Sequence, residues 1–138
     1  MHWYQQAADQ GYAPAQLCLG VAYKYGRGVE QSDDGAVHWY RQAADQGYAP
    51  AQLCLGFAYE KGRGVEQSDE GAVHCYRQAA DQGHAAAQFC LGVAYKNGEG
   101  VEPSDDEAMH WYRQAADQGH AAAQAAIAAA EAKAAENK

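Results

Sequence analysis

The chain has 138 residues and a formal net charge of −8, with 18 Asp and Glu against 10 Lys and Arg. An acidic chain without a run of Lys and Arg lacks the basic patch of a nucleic-acid-binding protein, so we expect no nucleic-acid partner, and the charge favours solubility. No stretch of about 18 apolar residues occurs, so we expect no membrane insertion. The residues after Met1 lack the apolar core of a signal peptide.

A 36-residue repeat dominates the sequence. Its copies span residues 3–38, 39–74, 75–110 and, incompletely, 111–138. The first two copies differ at five of 36 positions. A period of this length is typical of stacked supersecondary units, none of which can bury its apolar face alone. We therefore expect a single repeat domain over residues 1–138.

The first predicted element is a partial helix at residues 2–12. These residues match only the second half of the second helix of the later units, and the first half of that helix has no counterpart here. We therefore expect the array to begin in mid-helix, as in a fragment of a longer chain.

Each later unit is predicted to begin with a helix that we call helix A. Pro14 suits a first helical turn, Leu19 and Tyr23 lie on one apolar stripe, and Gly26 ends the helix. Gly20 lies inside the helix, where glycine costs about 1 kcal/mol relative to alanine, so its recurrence indicates close approach of a neighbouring helix. Helix A is predicted at residues 14–25, 50–61 and 86–97.

The second helix of each unit, helix B, is predicted to begin after a serine. Ser32 is a good N-cap, and Asp33 favours the positive end of the helix dipole. In the third unit Ser104 and Glu107 fit a capping box. Gly47 lies where a glycine ends a helix. Helix B is predicted at residues 33–46, 69–82 and 105–118.

These elements give the predicted organisation. The helical repeats are residues 13–48, 49–84 and 85–120, and residues 121–138 form a C-terminal capping helix, whose polar, Ala-rich sequence has high helix propensity. No alternating strand pattern competes with this interpretation. The predicted fold class is therefore all-α, an α/α solenoid of helix-turn-helix repeats.

The repeats resemble a known family, the Sel-one-like repeats, which are related to tetratricopeptide repeats. In the first unit the family pattern corresponds to Ala13, Ala15, Gln16, Leu19, Gly20, Tyr23, Gly26, Gly28, Val29, Ala36, Trp39, Tyr40, Ala43, Ala44 and Gly47. The resemblance implies a right-handed superhelix with helix A on its concave side, and a scaffold for protein–protein contacts in signalling or bacterial host interaction. Ser32 replaces the usual Asp cap, and Cys75 replaces the Trp of the third copy.

The cysteines are interpreted as structural. Cys18, Cys54 and Cys90 occur once per unit, and equivalent helices lie too far apart for these three to form disulfides with one another. Cys75 lies near the level of both Cys54 and Cys90, so one disulfide stays conceivable. We favour buried, reduced thiols, which are more typical of a reducing compartment. No C-x-x-C motif occurs, so we expect no zinc.

Two further expectations concern cysteine positions. Within the family that the repeats resemble, a cysteine-rich branch pairs positions equivalent to Ala44 and Gln52, and neither is cysteine here. If the site of Cys75 is buried, replacement of its Trp is expected to cost roughly 2–4 kcal/mol, so Cys75→Trp should stabilise the array.

The histidines are interpreted as surface residues. His38, His74 and His110, with His2, form one column on helix B opposite the apolar stripe, and their spacing is too wide for a shared metal. His84 and His120 lie in turns and are assigned no chemistry. No catalytic triad, metalloprotease, phosphate-loop or dinucleotide motif occurs. We therefore expect no enzymatic activity and no cofactor.

A comparison of the units suggests a partner-binding surface. The units differ mainly late in helix A and in the loop after it, including Arg27, Arg63 and Glu99. A helical wheel places positions 17, 21 and 24 away from the apolar stripe. The candidate binding residues are Val21, Lys24, Tyr25, Phe57, Glu60, Lys61, Val93, Lys96 and Asn97, and Phe57 is the best single probe because exposed aromatic residues are frequent hot spots. The alternative is drift on a solvated surface.

The predicted function is a non-enzymatic scaffold that presents a concave helix A surface to another protein or peptide. The alternative is a structural or engineered repeat module that binds no ligand and self-associates weakly through its open ends. Sequence patterns name neither the partner nor the compartment.

Overall fold

The computed structural model describes residues 2–136 and contains, over these residues, eight α-helices and no strand. The helices are α1 (His2–Asp9), α2 (Ala13–Tyr25), α3 (Asp33–Asp45), α4 (Ala49–Lys61), α5 (Asp69–Asp81), α6 (Ala85–Asn97), α7 (Asp105–Asp117) and α8 (Ala121–Glu136). The helices stack in chain order as a right-handed α/α solenoid, which confirms the predicted fold class. Helices α2, α4 and α6 are helices A, and α3, α5 and α7 are helices B. Their predicted bounds agree within one residue at each end, and the last two residues of the predicted capping helix lie outside the described residues.

Serine caps set the start of each helix B. Ser32 Oγ accepts a hydrogen bond of 3.0 Å from the Gly35 backbone N–H, and Ser104 Oγ accepts one of 3.1 Å from Glu107. The Ser104 N–H donates to the backbone carbonyl of Tyr95 at 2.9 Å. The predicted capping box at Ser104 therefore forms only one of its two bonds, because the end of the preceding helix A already uses the serine N–H.

Glycine in the middle of helix A lets the two helices of a unit touch. A Cβ at Gly20 would lie 2.5 Å from Cδ1 and Cε1 of Tyr40, a residue of α3 that is buried. The same contact recurs between Gly56 and Tyr76. The close approach that the recurring glycine predicts is therefore confirmed, and a tyrosine ring of helix B occupies the space that a side chain would need.

A buried glutamine joins each helix A to the two helices B beside it. Gln52 Nε2 donates to the carbonyl of Ala44 at 3.3 Å, and Gln52 Oε1 accepts from Gln82 Nε2 at 2.9 Å. The same pair of bonds recurs around Gln16 and Gln88. Ala44 and Gln52 are the positions at which the cysteine-rich branch places its disulfide, so here a hydrogen bond joins the same two helices.

The hydrophobic core runs across the boundaries between units. Val37 and Tyr40 of one unit belong to the same buried cluster as Leu55 and Cys75 of the next unit. Leu17 also packs against this cluster. Neighbouring units therefore bury each other's apolar faces, which is why the 36-residue period predicts an array rather than separate hairpins.

Candidate functional site

A recess on the helix A side of the solenoid, the A face, lies between the first two complete units. This first groove runs between α2 and α4, with α3 as its floor, and has a volume of about 240 Å³. It is lined by Lys24, Asp33, Ala36, Val37, Tyr40, Cys54, Phe57, Ala58, Lys61 and Arg63. Three different helices and the loop after α4 thus contribute to one site.

The first groove combines an apolar floor with one exposed aromatic wall. Val37 and Ala58 are buried, and Phe57 is 38% exposed. The Phe57 ring meets the ring of Tyr76 edge-on, with centroids 5.8 Å apart. Tyr76 is buried, so this contact supports one side of the Phe57 ring, and the exposed part of the ring is accessible to a ligand.

The rim of the first groove is cationic. Lys24, Lys61 and Arg63 line it, with Asp33 as the only acidic lining residue. Arg63 Nη2 lies 3.6 Å from Asp33 Oδ1, and Lys61 Nζ lies 3.7 Å from Glu60 Oε2. These pairs are solvent-exposed and contribute little to stability, so the cations stay available to an incoming anion.

A second groove occupies the equivalent position one unit later, between α4 and α6. It has a volume of only about 10 Å³. Its acidic lining residues are Glu60, Asp69 and Glu99, and no Lys or Arg lines it. Glu60 Oε1 accepts a hydrogen bond of 3.4 Å from the hydroxyl of Tyr76. The second groove is therefore shallow and anionic where the first is deeper and cationic.

The thiols of the two grooves and the phenol of Tyr40 are held in their neutral forms. Burial raises the pKa of the Cys54 thiol, and the charge of Lys24 partly offsets this effect. Burial and then the charge of Glu60 raise the pKa of Cys90 to about 12. Burial is also the main cause that raises the pKa of the Tyr40 phenol. A thiol with a raised pKa is a poor nucleophile, so neither groove carries an activated group of this kind.

The predicted partner-binding residues divide between the two grooves and their surroundings. Lys24, Phe57 and Lys61 line the first groove, and Glu60 and Val93 line the second. The structure therefore brings five of the nine predicted residues into two equivalent recesses.

The other four predicted residues lie outside the grooves. Tyr25 is exposed at the end of α2, and its ring faces the cations of Lys24 and Arg27. Lys96 and Asn97 are exposed at the end of α6. Val21 is half-buried and packs against the core cluster that the first two complete units share.

The helical wheel was wrong about two of its three positions. Leu17 and Val21 do not face free solvent, because both are half-buried and pack against the core cluster that the first two complete units share. Conversely, Arg63 and Glu99 line the grooves although the predicted set omits them. The signal that could have identified them is the change from arginine to glutamate at this loop position between units.

A second kind of recess lies on the opposite, helix B side of the solenoid, the B face. This B-face cleft, with a volume of about 430 Å³, lies between α3 and α5 beside Cys75. Cys75 itself is 4% exposed, and burial raises the pKa of its thiol to about 11. One unit later the same position holds Trp111, which is 8% exposed and packs against the preceding unit. The cleft thus lies beside Cys75, a small residue at the position where the neighbouring copies of the repeat carry the indole of Trp39 or Trp111.

Cysteine and histidine sites agree only in part with the sequence prediction. Cys18, Cys54, Cys75 and Cys90 are all free thiols. The prediction of burial holds for Cys75, holds in part for the half-buried Cys54 and Cys90, and was wrong for the exposed Cys18. His38, His74 and His110 are exposed, as predicted. Among residues 2–136 no group of three His, Cys, Asp or Glu side chains could hold a metal ion.

The turn histidines have a role that the sequence analysis did not assign. His84 Nδ1 accepts a hydrogen bond of 3.3 Å from the N–H of Ala87, and His120 Nδ1 accepts one of 3.2 Å from Ala123. Both therefore cap the start of the following helix. At the same position Tyr12 forms no side-chain cap.

Among the helices of residues 2–136, none has the length and apolar character that a membrane span requires.

These features define the chain as an α/α solenoid with inter-unit grooves on its A face. The model of the Sel1 repeat matches residues 1–12, 13–48, 49–84 and 85–120. The chain therefore belongs to the Sel1 repeat family, whose members are commonly protein-interaction scaffolds.

Solved structures of bacterial proteins are similar to the chain. A protective antigen of uropathogenic Escherichia coli strains, with an SLR fold, is 43% identical with a TM-score of 0.84, and the match covers 86% of this chain and 26% of the antigen. A Sel1 repeat protein from Oxalobacter formigenes is 42% identical with a TM-score of 0.82, covering 86% of this chain and 49% of that protein. The chain thus spans about a quarter and about half of these relatives.

A third similar structure, cysteine-rich protein B of Helicobacter pylori, shares the fold alone. It is 20% identical with a TM-score of 0.71, and the match covers 90% of this chain and 89% of that protein. No curated protein matches the chain.

Proposed function

We propose that the chain is a scaffold without catalytic activity that binds a segment of another protein along its A face. The observation that carries the proposal is the first groove, in which the exposed ring of Phe57 and the cations of Lys24 and Lys61 surround an apolar floor. An apolar recess with a few convergent polar groups is the usual form of a binding site.

The distribution of sequence changes between units supports this proposal. Scaffold residues such as Leu19 and Tyr40 are identical in the three complete units, whereas Lys24, Phe57 and Arg63 differ from their counterparts 36 residues later. Residues that keep the stack together are thus constant, and the variation within the grooves falls on these three lining positions. Variation at the lining of a groove is expected where different units bind different parts of one partner.

The test is selection of binding peptides from a random 12-residue library against the intact chain, followed by affinity measurements. Phe57→Ala should weaken binding of the selected peptides by about tenfold, because an aromatic anchor in a recess is a typical hot spot. The matched control is His74→Ala, a change at an exposed B-face residue, which should leave affinity unchanged. Peptides whose affinity ignores Phe57 would contradict the proposal.

A second candidate function is self-association through the ends of the solenoid. Trp3 is 65% exposed, and Tyr4 and Tyr12 are also exposed, so the first helix and the turn after it offer aromatic surface to another copy. Sedimentation velocity over a concentration series tests this candidate. A rise in sedimentation coefficient that Trp3→Ser abolishes would support self-association, and a monomer at every concentration would contradict it.

A further inference from the structure

The two A-face grooves are built from the same positions of successive units. Nine of the ten residues that line the first groove have counterparts 36 positions later in the lining of the second. Six of these nine pairs are identical. The remaining three pairs are Lys24 with Glu60, Phe57 with Val93, and Arg63 with Glu99. The differences are therefore confined to charge and to one apolar side chain.

The charge difference is large for such similar sites. Three cationic side chains and one carboxylate line the first groove, whereas three carboxylates and no Lys or Arg line the second. The chain as a whole has a net charge of −8, so the first groove departs from the general charge of the protein. Adjacent sites of opposite charge favour a ligand with the complementary pattern and repel the reverse pattern.

We propose that the A face binds an extended protein segment that carries charges of both signs, with an acidic side chain at the first groove and a basic side chain at the second. This inference rests on the proposed function and specifies its partner. Lys24, Lys61 and Arg63 attract the acidic side chain, and Glu60, Asp69 and Glu99 attract the basic one.

The shapes of the two grooves add an apolar requirement. The first groove has a volume of about 240 Å³, with Phe57 and Val37 in its lining, which is enough for an aliphatic side chain next to the acidic residue. The second groove has a volume of only about 10 Å³, which is too small for a side chain. Recognition there depends on charge at the surface, and recognition at the first groove depends on charge and on burial of an apolar group.

The distance between the grooves sets a minimum spacing for the ligand. Neighbouring helix axes are separated by about 8–10 Å, and the grooves lie one unit apart. An extended chain advances by about 3.3 Å per residue. The acidic and basic side chains of the ligand must therefore lie about three or more residues apart.

The experiment exchanges charged side chains between equivalent positions of the two grooves and compares peptide binding by the resulting variants. Lys24→Glu with Arg63→Glu places in the first groove the glutamates that the second groove has at these two positions and leaves Lys61 as the remaining cation of its lining. Glu60→Lys with Glu99→Arg makes the reverse change. The control pair, Arg113→Glu with Lys133→Glu, changes net charge by the same amount as the first pair at exposed residues of α7 and α8. Circular dichroism and melting curves of every variant establish that the fold is retained.

The probes are peptides selected from the 12-residue library and a labelled synthetic peptide with Glu-Leu and Lys spaced as above. Lys24→Glu with Arg63→Glu should weaken binding by about tenfold, because attraction becomes repulsion. The control pair should change affinity less than about threefold. Replacement of the peptide Glu by Gln should remove most of the effect of the groove variant, since the two changes delete the same contact.

The outcomes separate this inference from the proposed function. Selected peptides that depend on Phe57, carry both charges and respond to the groove variants support both. Peptides that depend on Phe57 but lack the charge pattern, or ignore the groove variants, overturn the inference and leave the scaffold function standing. Failure to select any peptide that depends on Phe57 overturns both.

Discussion

The first and second junctions of the solenoid, between the three complete repeats, have the same backbone plan and different surfaces. At the first junction the A-face groove has a volume of about 240 Å³, and a B-face cleft of about 430 Å³ lies beside Cys75. At the second junction the A-face groove has a volume of about 10 Å³, and Trp111 is buried at the position of the cysteine. The first junction is therefore open on both faces.

This difference shows that a few side-chain changes are enough to alter the volume and the charge of a groove in a repeat scaffold. The tyrosine–glycine contact between helices and the buried glutamine bonds are the same at both junctions. Because these contacts hold the helices in place, the changes at the surface alter volume and charge without moving the backbone. We therefore expect equal contributions of the buried contacts to stability at the two junctions, and different properties at their surfaces.

The largest expected effect comes from the shared scaffold. Tyr40→Ala and Tyr76→Ala each remove a buried aromatic side chain that packs on a helix A glycine, so each should lower the free energy of unfolding by about 3–5 kcal/mol. The two losses should be equal within about 1 kcal/mol. Urea denaturation measures both, with the exposed Tyr25→Ala as a near-neutral control. A much larger loss at one junction would show that the two scaffolds differ.

The next effect concerns the B face. Cys75→Trp should fill the cleft, but the buried Nε1 of Trp111 has no hydrogen-bond partner among the described residues, and such an orphan donor costs about 1–3 kcal/mol. The expected net gain is therefore about 1–2 kcal/mol, less than the roughly 2–4 kcal/mol of the packing alone.

The matched control for Cys75→Trp is Trp111→Cys, which should open an equivalent cleft at the second junction and lower the melting temperature. The variant that carries both changes should move the cleft from one junction to the other. Melting curves decide the matter, and a melting temperature that Cys75→Trp leaves unchanged or lowers would contradict the assignment of the cleft to the missing indole.

Local signals made the helices predictable from the sequence. Ser32 caps α3 through its own side chain, and Gly26 ends α2 in the left-handed conformation with φ of 69°. Both signals act within one turn of their helix, so neither depends on how the units stack. The buried position of Cys75 was also predictable, because the other units place Trp there.

Stacking between units made the site only partly predictable. On an isolated helical wheel Leu17 and Val21 lie away from the apolar stripe, but both pack against the core cluster that the first two complete units share. Arg63 lies in a loop and reaches the first groove only because that loop lies near the start of α3, where it pairs with Asp33. Helical periodicity describes one helix, so it contains no information about which neighbouring unit approaches a given face.

A third prediction uses two cysteines as reporters of groove charge. Cys54 and Cys90 occupy equivalent positions, and burial raises the pKa of both thiols. Lys24 lowers the pKa of Cys54, whereas Glu60 raises that of Cys90. We therefore expect Cys54 to titrate at a lower pH than Cys90, and Lys24→Glu to raise the pKa of Cys54.

The measurement is the pH dependence of alkylation in variants that keep one cysteine each. The exposed Cys18 serves as a fast-reacting control. Equal pKa values for Cys54 and Cys90, or an unchanged pKa of Cys54 in Lys24→Glu, would show that the opposite charges of the two grooves do not affect the thiols.

The smallest expected effect concerns the turn before each helix A. At the start of α6, His84 caps the helix with Nδ1, and burial lowers its pKa, whereas Tyr48 forms no side-chain cap at the start of α4. Because the folded state favours neutral His84, its contribution is present above the unfolded-state pKa near 6.5 and is lost as the pH falls through the lower folded-state value. The contribution should be a few tenths to about 1 kcal/mol. Melting curves at neutral and mildly acidic pH should show that wild type loses more stability on acidification than His84→Tyr, and equal losses would mean that the histidine cap does not contribute.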